Sequence, residues 1–196
     1  MTHPEIRLDR IVTRGGDGGS AALPDGTRLP KDHPRFEAMG LIDELNCRLG
    51  SARLCAAAMP GAEELARRLR RIQDRCFDCG SLLTSPAAQR HPSLRRLAQS
   101  DLDELETWVA LINPNLIPLK SFVLPGATEL SSRLHLARSA ARSAERAASV
   151  IFREELPDVD SALALAWINR LSDWLFVESR AAVQLEGAQE ILWGAT

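Results

Sequence analysis

Apolar residues recur along this chain at steps of three and four over long stretches, the period of helices that bury one face. The cleanest run is Leu130, Leu134, Ala137, Ala141, Ala144, Ala148 and Ile151, a continuous stripe that predicts packing along a bundle seam. Breakers divide such runs. They predict helices over about 34–58, ended near Met59-Pro60-Gly61, and over about 62–84, ended by Ser85-Pro86. A third is expected from about 100 to 112, with Ser100 or Asp101 as its N-cap and Glu104 completing a capping box. A fourth spans about 127–155, and Pro157-Asp158 opens a fifth that reaches about Leu185. Between the third and fourth, NPNLIPLKSFVLPGA holds three prolines and cannot continue a helix. No stretch alternates far enough to read as a sheet, although residues 121–124 are a candidate for local pairing. The predicted fold class is all-α, a five-helix bundle forming one domain. Residues 34–196 make the bundle, and residues 1–33 form a segment rich in Gly, Pro and Asp, either an ordered loop or a tail. Alanine along the fourth and fifth helices predicts close helix packing, within the chain or between subunits.

A hydrophobic content of 45% over 196 residues is enough for one well-buried core. The formal net charge of −2 argues against a general nucleic-acid binder, which needs an excess of Lys and Arg, but leaves room for a local anion site. No run of about 18 apolar residues occurs, and MTHPEIRLDRIV lacks the basic start and apolar core of a signal peptide, so a cytoplasmic protein without a membrane partner is expected. Cys47, Cys55, Cys76 and Cys79 are then expected as reduced thiols. Cys76 and Cys79 form a CxxC inside a helical pattern with no second ligand pair, which favours core cysteines over a metal or redox pair.

Two features carry candidate chemistry. On the fourth helix Arg138, Arg142, Glu145 and Arg146 fall within one sector, at about 0°, 40°, −20° and 80°, opposite the apolar stripe. Near the N-terminus, Thr13-Arg14-Gly15-Gly16-Asp17-Gly18-Gly19-Ser20 resembles a phosphate cradle, because glycines let backbone N–H groups converge on an anion. It lacks the Gly-Lys-Ser/Thr of a Walker loop, and its GxGxxA neither follows a full strand nor opens a helix. On the first helix Asp43 and Asn46 share a stripe with Met39 and Gly50; the carboxylate is either solvated or paired with an arginine of the fourth helix. Asn169 and Asp173 interrupt the apolar fifth helix and are candidates for ligand contact or for interhelical hydrogen bonds.

Five stretches in order, TRGGDGGS, PKDHPRFEAMGLIDELN, FDCG, KSFVLPGATELSSRLHLARSAARSAER and INRLSDWLF, together resemble the PduO-type ATP:cob(I)alamin adenosyltransferase family over about residues 11–180. The resemblance implies a five-helix bundle assembled as a homotrimer, with active sites between subunits. It implies that ATP and Mg2+ are used to transfer the 5′-deoxyadenosyl group to the cobalt of reduced cobalamin, releasing triphosphate. By position, Thr13, Arg14, Gly15, Gly16, Asp17 and Ser20 would wrap the triphosphate and Lys31 would add a charge, making residues 1–33 a nucleotide-binding segment. Arg142, Glu145 and Arg146 would hold nucleotide and metal, with Glu145 as the Mg2+ ligand, and Asn169 would contact the nucleotide. Asp43 and Arg138 match the family's salt-bridge pair beside the corrin, and Phe122 matches the aromatic residue that keeps the lower axial ligand off cobalt. A cobalamin reductase and an adenosylcobalamin-dependent enzyme are the implied partners.

The chain departs from the family pattern mainly on the phosphate side. Gly15 stands where Thr is frequent, Gly18 where Lys is frequent, Ala21 where a hydroxyl is usual, and Ser143 replaces one arginine of an Arg-Arg pair. Arg14, Arg28 and Arg133 are the candidate replacements. A diverged paralogue that binds nucleotide or cobalamin as carrier, sensor or scaffold is the second reading these departures keep open.

Overall fold

The structure, a computed structural model, describes residues 11–155 and 157–194. It contains five long helices, α1 (Pro34–Ala57), α2 (Glu63–Leu82), α3 (Gln99–Ile112), α4 (Glu129–Glu154) and α5 (Val159–Leu185). Two short antiparallel ribbons accompany them: β1 (Ser20–Ala22) with β2 (Arg28–Pro30), and β3 (Val123–Leu124) with β4 (Ile191–Leu192). The predicted all-α bundle is therefore present, with small ribbons added. The second pairs Val123 with Leu192 and Leu124 with Ile191, so the local pairing expected at 121–124 takes its partner from the far end of the chain.

Three of the helices, α1, α4 and α5, start where backbone N–H groups find a side-chain acceptor on the cap residue. His33 Nδ1 accepts from Arg35 N at 3.1 Å at the start of α1, Thr128 Oγ1 from Ser131 N at 3.2 Å at α4, and Asp158 Oδ1 from Ser161 N at 3.0 Å at α5. The N-terminus of α3 differs from expectation. Its cap is Ala98, which has no acceptor, and Asp101 lies inside the first turn and reaches back to accept from Ala98 N at 2.8 Å. Glu104 instead pairs with Arg71 of α2 at 2.8 Å, so the capping role passes to the acid that is closer to the start.

α4 packs against α1 on one side and α5 on the other, while α2 covers α1 and α3 covers α5. All seven residues of the predicted stripe, Leu130 to Ile151, are buried in that seam. Trp167 and Trp174 of α5 are fully buried, and Trp174 meets Trp108 of α3 with ring centroids 5.2 Å apart. Cys76 and Cys79 are buried free thiols; burial raises both pKa values, that of Cys79 to about 12 with Asp78 adding to the shift, which fits the core-cysteine reading.

Buried arginines tie the helix ends together. Arg35 at the start of α1 donates to Leu83 O beyond α2 at 2.7 Å and pairs with Glu155 beyond α4. Arg90, from the loop after α2, reaches Asp158 at 2.9 Å and Ser161 Oγ at 3.0 Å. Removing one partner of such a buried pair costs about 3–5 kcal/mol, because the remaining charge is stranded. Among the described residues no helix is long and apolar enough to cross a membrane.

Arg68 of α2 lies 5.0 Å from the Trp108 ring centroid and 3.4 Å from the buried Glu178 carboxylate of α5. Burial outweighs that long contact and raises the Glu178 pKa from its usual 4.5 to about 7. A raised folded-state pKa means that the folded protein holds the proton more tightly. Its contribution to stability is complete below about pH 4.5 and is lost as the pH rises through about 7. Glu178→Gln should remove that slope, flattening the profile between those limits by on the order of 3 kcal/mol, as read by urea unfolding at a series of pH values.

Candidate functional site

The N-terminal loop is folded by its own backbone. Asp17 N donates to Arg14 O at 3.3 Å, Gly19 N to Gly16 O at 3.2 Å, and Lys31 N to Gly19 O at 2.9 Å. Gly19, at φ 78°, takes the left-handed conformation that glycine adopts without strain, and Arg14, at φ 58°, takes it as a non-glycine residue. The β1–β2 hairpin closes through Leu23 N to Thr27 O at 2.8 Å, and the Leu23 side chain anchors it in the protein. This turn returns Lys31 and Arg28 to the loop. A Cβ on Gly16 would stand 3.1 Å from both Cε and Nζ of Lys31, so glycine lets the lysine lie against the loop backbone. Thr13, Arg14 and Asp17 are exposed, while Gly16 and Ser20 are half-buried.

A second cluster sits where α4 meets α5. Asn169 Nδ2 donates to Glu145 Oε1 at 2.9 Å, which orients the carboxylate and leaves Oε2 without a hydrogen-bond partner among the described residues. Arg142 and Arg146 are exposed beside it. Ser143 Oγ accepts from Arg146 Nη2 at 3.0 Å and donates to Ser139 O at 3.2 Å, so the residue standing in place of a charge instead steers a neighbouring one. Among the described residues no hydrogen bond or ion pair joins this cluster to the N-terminal loop of the same chain.

The third group is also split. Asp43 is exposed on α1 and borders a cavity of about 320 Å3, mostly apolar, lined also by Met39, Asn46, Phe77 of α2 and Thr84 just beyond it. The side-chain oxygen of Asn46 is buried there without a partner among the described residues. Arg138 lies on α4 with its guanidinium 5.9 Å from the Phe176 ring centroid, and its Nε is buried and unpaired among the described residues. Burial and then the charge of Arg142 lower its pKa. The same forces, burial first and then Arg138, bring the neighbouring His135 to about 4, so it is neutral beneath the arginine. No ion pair links Asp43 to Arg138 within the described residues of one chain. Phe122 is 80% exposed beside the β3–β4 ribbon, where its carbonyl accepts from Trp193 N at 2.8 Å.

A family model described as cobalamin adenosyltransferase matches residues 11–182. The chain belongs to that family. A corrinoid adenosyltransferase of Mycobacterium tuberculosis is 42% identical over 179 residues, covering 90% of each chain. The Homo sapiens corrinoid adenosyltransferase MMAB is 35% identical over 190 residues, which is 95% of this chain and 74% of that one. Among solved structures, a variant PduO-type ATP:corrinoid adenosyltransferase from Lactobacillus reuteri complexed with cobalamin and ATP has a TM-score of 0.85 at 33% identity, covering 94% of this chain and 99% of that one.

Of the residues that hold these groups in place, sequence reasoning named Arg28 and Arg133 only as candidate phosphate donors and passed over Arg180. Arg28 donates through Nη2 to Gly15 O at 2.6 Å, Ser20 O at 3.0 Å and Ser20 Oγ at 2.7 Å, so its bonds go to the loop itself. Arg133, another candidate replacement, is engaged by Glu129 and by Ser51 of α1. Arg180 is buried and clasps Glu190 at 2.7 and 3.0 Å and Ile117 O at 2.5 Å, which brings the stretch before Phe122 against the C-terminal segment. The one signal for Arg180 was a charge on a helix that is otherwise closely packed.

Phe122 and Trp174 give opposite expectations for folding. Phe122→Ala should shift the melting temperature by no more than about 2 °C in a circular-dichroism melt, because so little of the ring is buried. Trp174→Ala should cost about 3–5 kcal/mol through the cavity it leaves.

Proposed function

We infer that this chain transfers the 5′-deoxyadenosyl group of ATP to the cobalt of cob(I)alamin, giving adenosylcobalamin and triphosphate. The observation that carries the reading is the pairing of a folded Gly-rich loop with an Arg142, Glu145, Arg146 and Asn169 cluster, on the fold of relatives named for this chemistry. Cobalt(I) is the nucleophile. Its electron pair forms the Co–C5′ bond, the C5′–O bond breaks, and triphosphate leaves with the bonding electrons while cobalt becomes formally Co(III). The protein need not supply a base or a covalent nucleophile; it has to align C5′ with cobalt, neutralise the departing charge and keep water away.

We assign the loop residues Thr13, Arg14, Gly15, Gly16, Asp17 and Ser20, with Lys31, to the triphosphate. Arg142 and Arg146 would add bidentate donors to its oxygens. Asn169 holds Glu145 with one carboxylate oxygen free, which suits a magnesium ion shared with the triphosphate. Among the described residues no group of three or more His, Cys, Asp or Glu side chains could hold a metal unaided, consistent with a metal that arrives with its nucleotide. Bound there, magnesium would neutralise charge on the leaving group. Phe122 would present an apolar wall beside cobalamin.

Among the described residues of one chain the loop and the α4 cluster share no hydrogen bond or ion pair, and Asp43 and Arg138 do not pair. A homotrimer in which neighbouring copies complete each site accounts for both. The unpaired Nε of Arg138 and the exposed carboxylate of Asp43 would meet across that interface. Cob(I)alamin must come from a reductase, the product suits an adenosylcobalamin-dependent enzyme, and a cytoplasmic setting supplies ATP and reductant.

An anaerobic assay with reduced cobalamin and MgATP should show the spectral conversion of cob(I)alamin to adenosylcobalamin. No conversion, with MgATP still raising the melting temperature, would point to a nucleotide-binding paralogue instead. Asp43→Asn should slow adenosylation roughly tenfold or more with an unchanged melting temperature, since Asp43 makes no ion pair within the described chain. Equal losses of activity and stability would sink its assignment to the corrin site.

A further inference from the structure

A guanidinium that spends one nitrogen on three acceptors of a glycine loop is holding the loop's shape. Arg28 lies opposite Ala22 in the β1–β2 ribbon, and its Nη2 gathers Gly15 O, Ser20 O and Ser20 Oγ within 2.6 to 3.0 Å. In a trans peptide the C=O and the following N–H point in opposite directions. With the Gly15 carbonyl drawn to Arg28, the Gly16 N–H points away from it. Neither that N–H nor those of Gly15 and Gly18 has a hydrogen-bond partner among the described residues. A glycine chain left to itself would sample many orientations of these peptides, and ordering them on binding would weaken affinity.

We propose that Arg28 is a positioning residue for the nucleotide loop: it fixes the Gly15–Gly16 peptide with its N–H outward before ATP arrives. Gly15, Gly18 and Ala21 offer no side-chain donor, so the backbone must provide those contacts, and backbone donors serve an anion only when already aimed. Arg28 therefore replaces the missing side chains through the loop and not by touching phosphate with Nη2. The proposal rests on the loop being the triphosphate site.

The test uses the full chain with Arg28→Ala and Arg28→Lys. Without ligand, Arg28→Ala should speed hydrogen exchange at the Asp17, Gly19 and Lys31 amides, which carry the loop's internal bonds. Its MgATP dissociation constant, by calorimetry, should rise roughly ten- to a hundredfold. The ATP KM should follow, with kcat at saturating ATP within about threefold and the cob(I)alamin KM unchanged. Arg28→Lys puts three protons on one nitrogen near the same acceptors and should fall between the two. Weakened ATP binding with unchanged exchange would mean direct phosphate contact and overturn the positioning role, as would unchanged exchange and unchanged binding together. If the unaltered chain binds no MgATP, the triphosphate reading itself fails and this role with it; binding by the unaltered chain confines a negative result to Arg28.

Discussion

Everything in this molecule depends on how closely α4 lies between α1 and α5. Ala137, Ala141, Ala144 and Ala148 occupy successive turns of the seam and are fully buried, with Leu130, Leu134 and Ile151 filling its ends. Small side chains let helix backbones approach, and that approach leaves no room for charge on the seam. The charged residues of α4 are thereby confined to the opposite sector. Arg142, Glu145 and Arg146 form a surface cluster because the alanines behind them fix the rotation of the helix.

Buried arginines serve the parts of the chain that have no apolar face of their own. Arg35 and Arg90 converge near Glu155 and Asp158, joining the start of α1, the loop after α2 and the α4–α5 junction. Arg180 does the same for the proline-rich stretch and the C-terminal segment, and the β3–β4 ribbon beside Phe122 follows from it. Each guanidinium offers several donors in a rigid fork, so one side chain satisfies a carboxylate and a stray carbonyl together. Loops that could not pack are held by hydrogen bonds instead.

The candidate site is accordingly in pieces within one chain. The loop is folded around Arg28 and Lys31, the α4–α5 cluster is organised by Asn169 and Ser143, and Asp43 borders a cavity on the far side of α1. Among the described residues, buried polar atoms without a partner stand at Arg138 Nε, at the adjacent His135 Nδ1 and at Asn46 Oδ1. Unpaired buried polar atoms are costly, so these positions stand out.

By itself the sequence determined the helices, their buried faces and the grouping of Arg142, Glu145 and Arg146, because helical periodicity is local and repeats every few residues. The ordered motifs were also enough for the family. Tertiary structure alone decided which side chains cross between elements. Only the folded chain pairs residues 123–124 with 191–192, sends Arg28 to the loop carbonyls instead of outward, starts α3 at Ala98 with Asp101 reaching back to its N–H, and leaves Asp43 and Arg138 without an ion pair among the described residues. Those outcomes turn on distances of a few ångströms between segments far apart in the chain, set by packing and loop closure, and no periodicity records them.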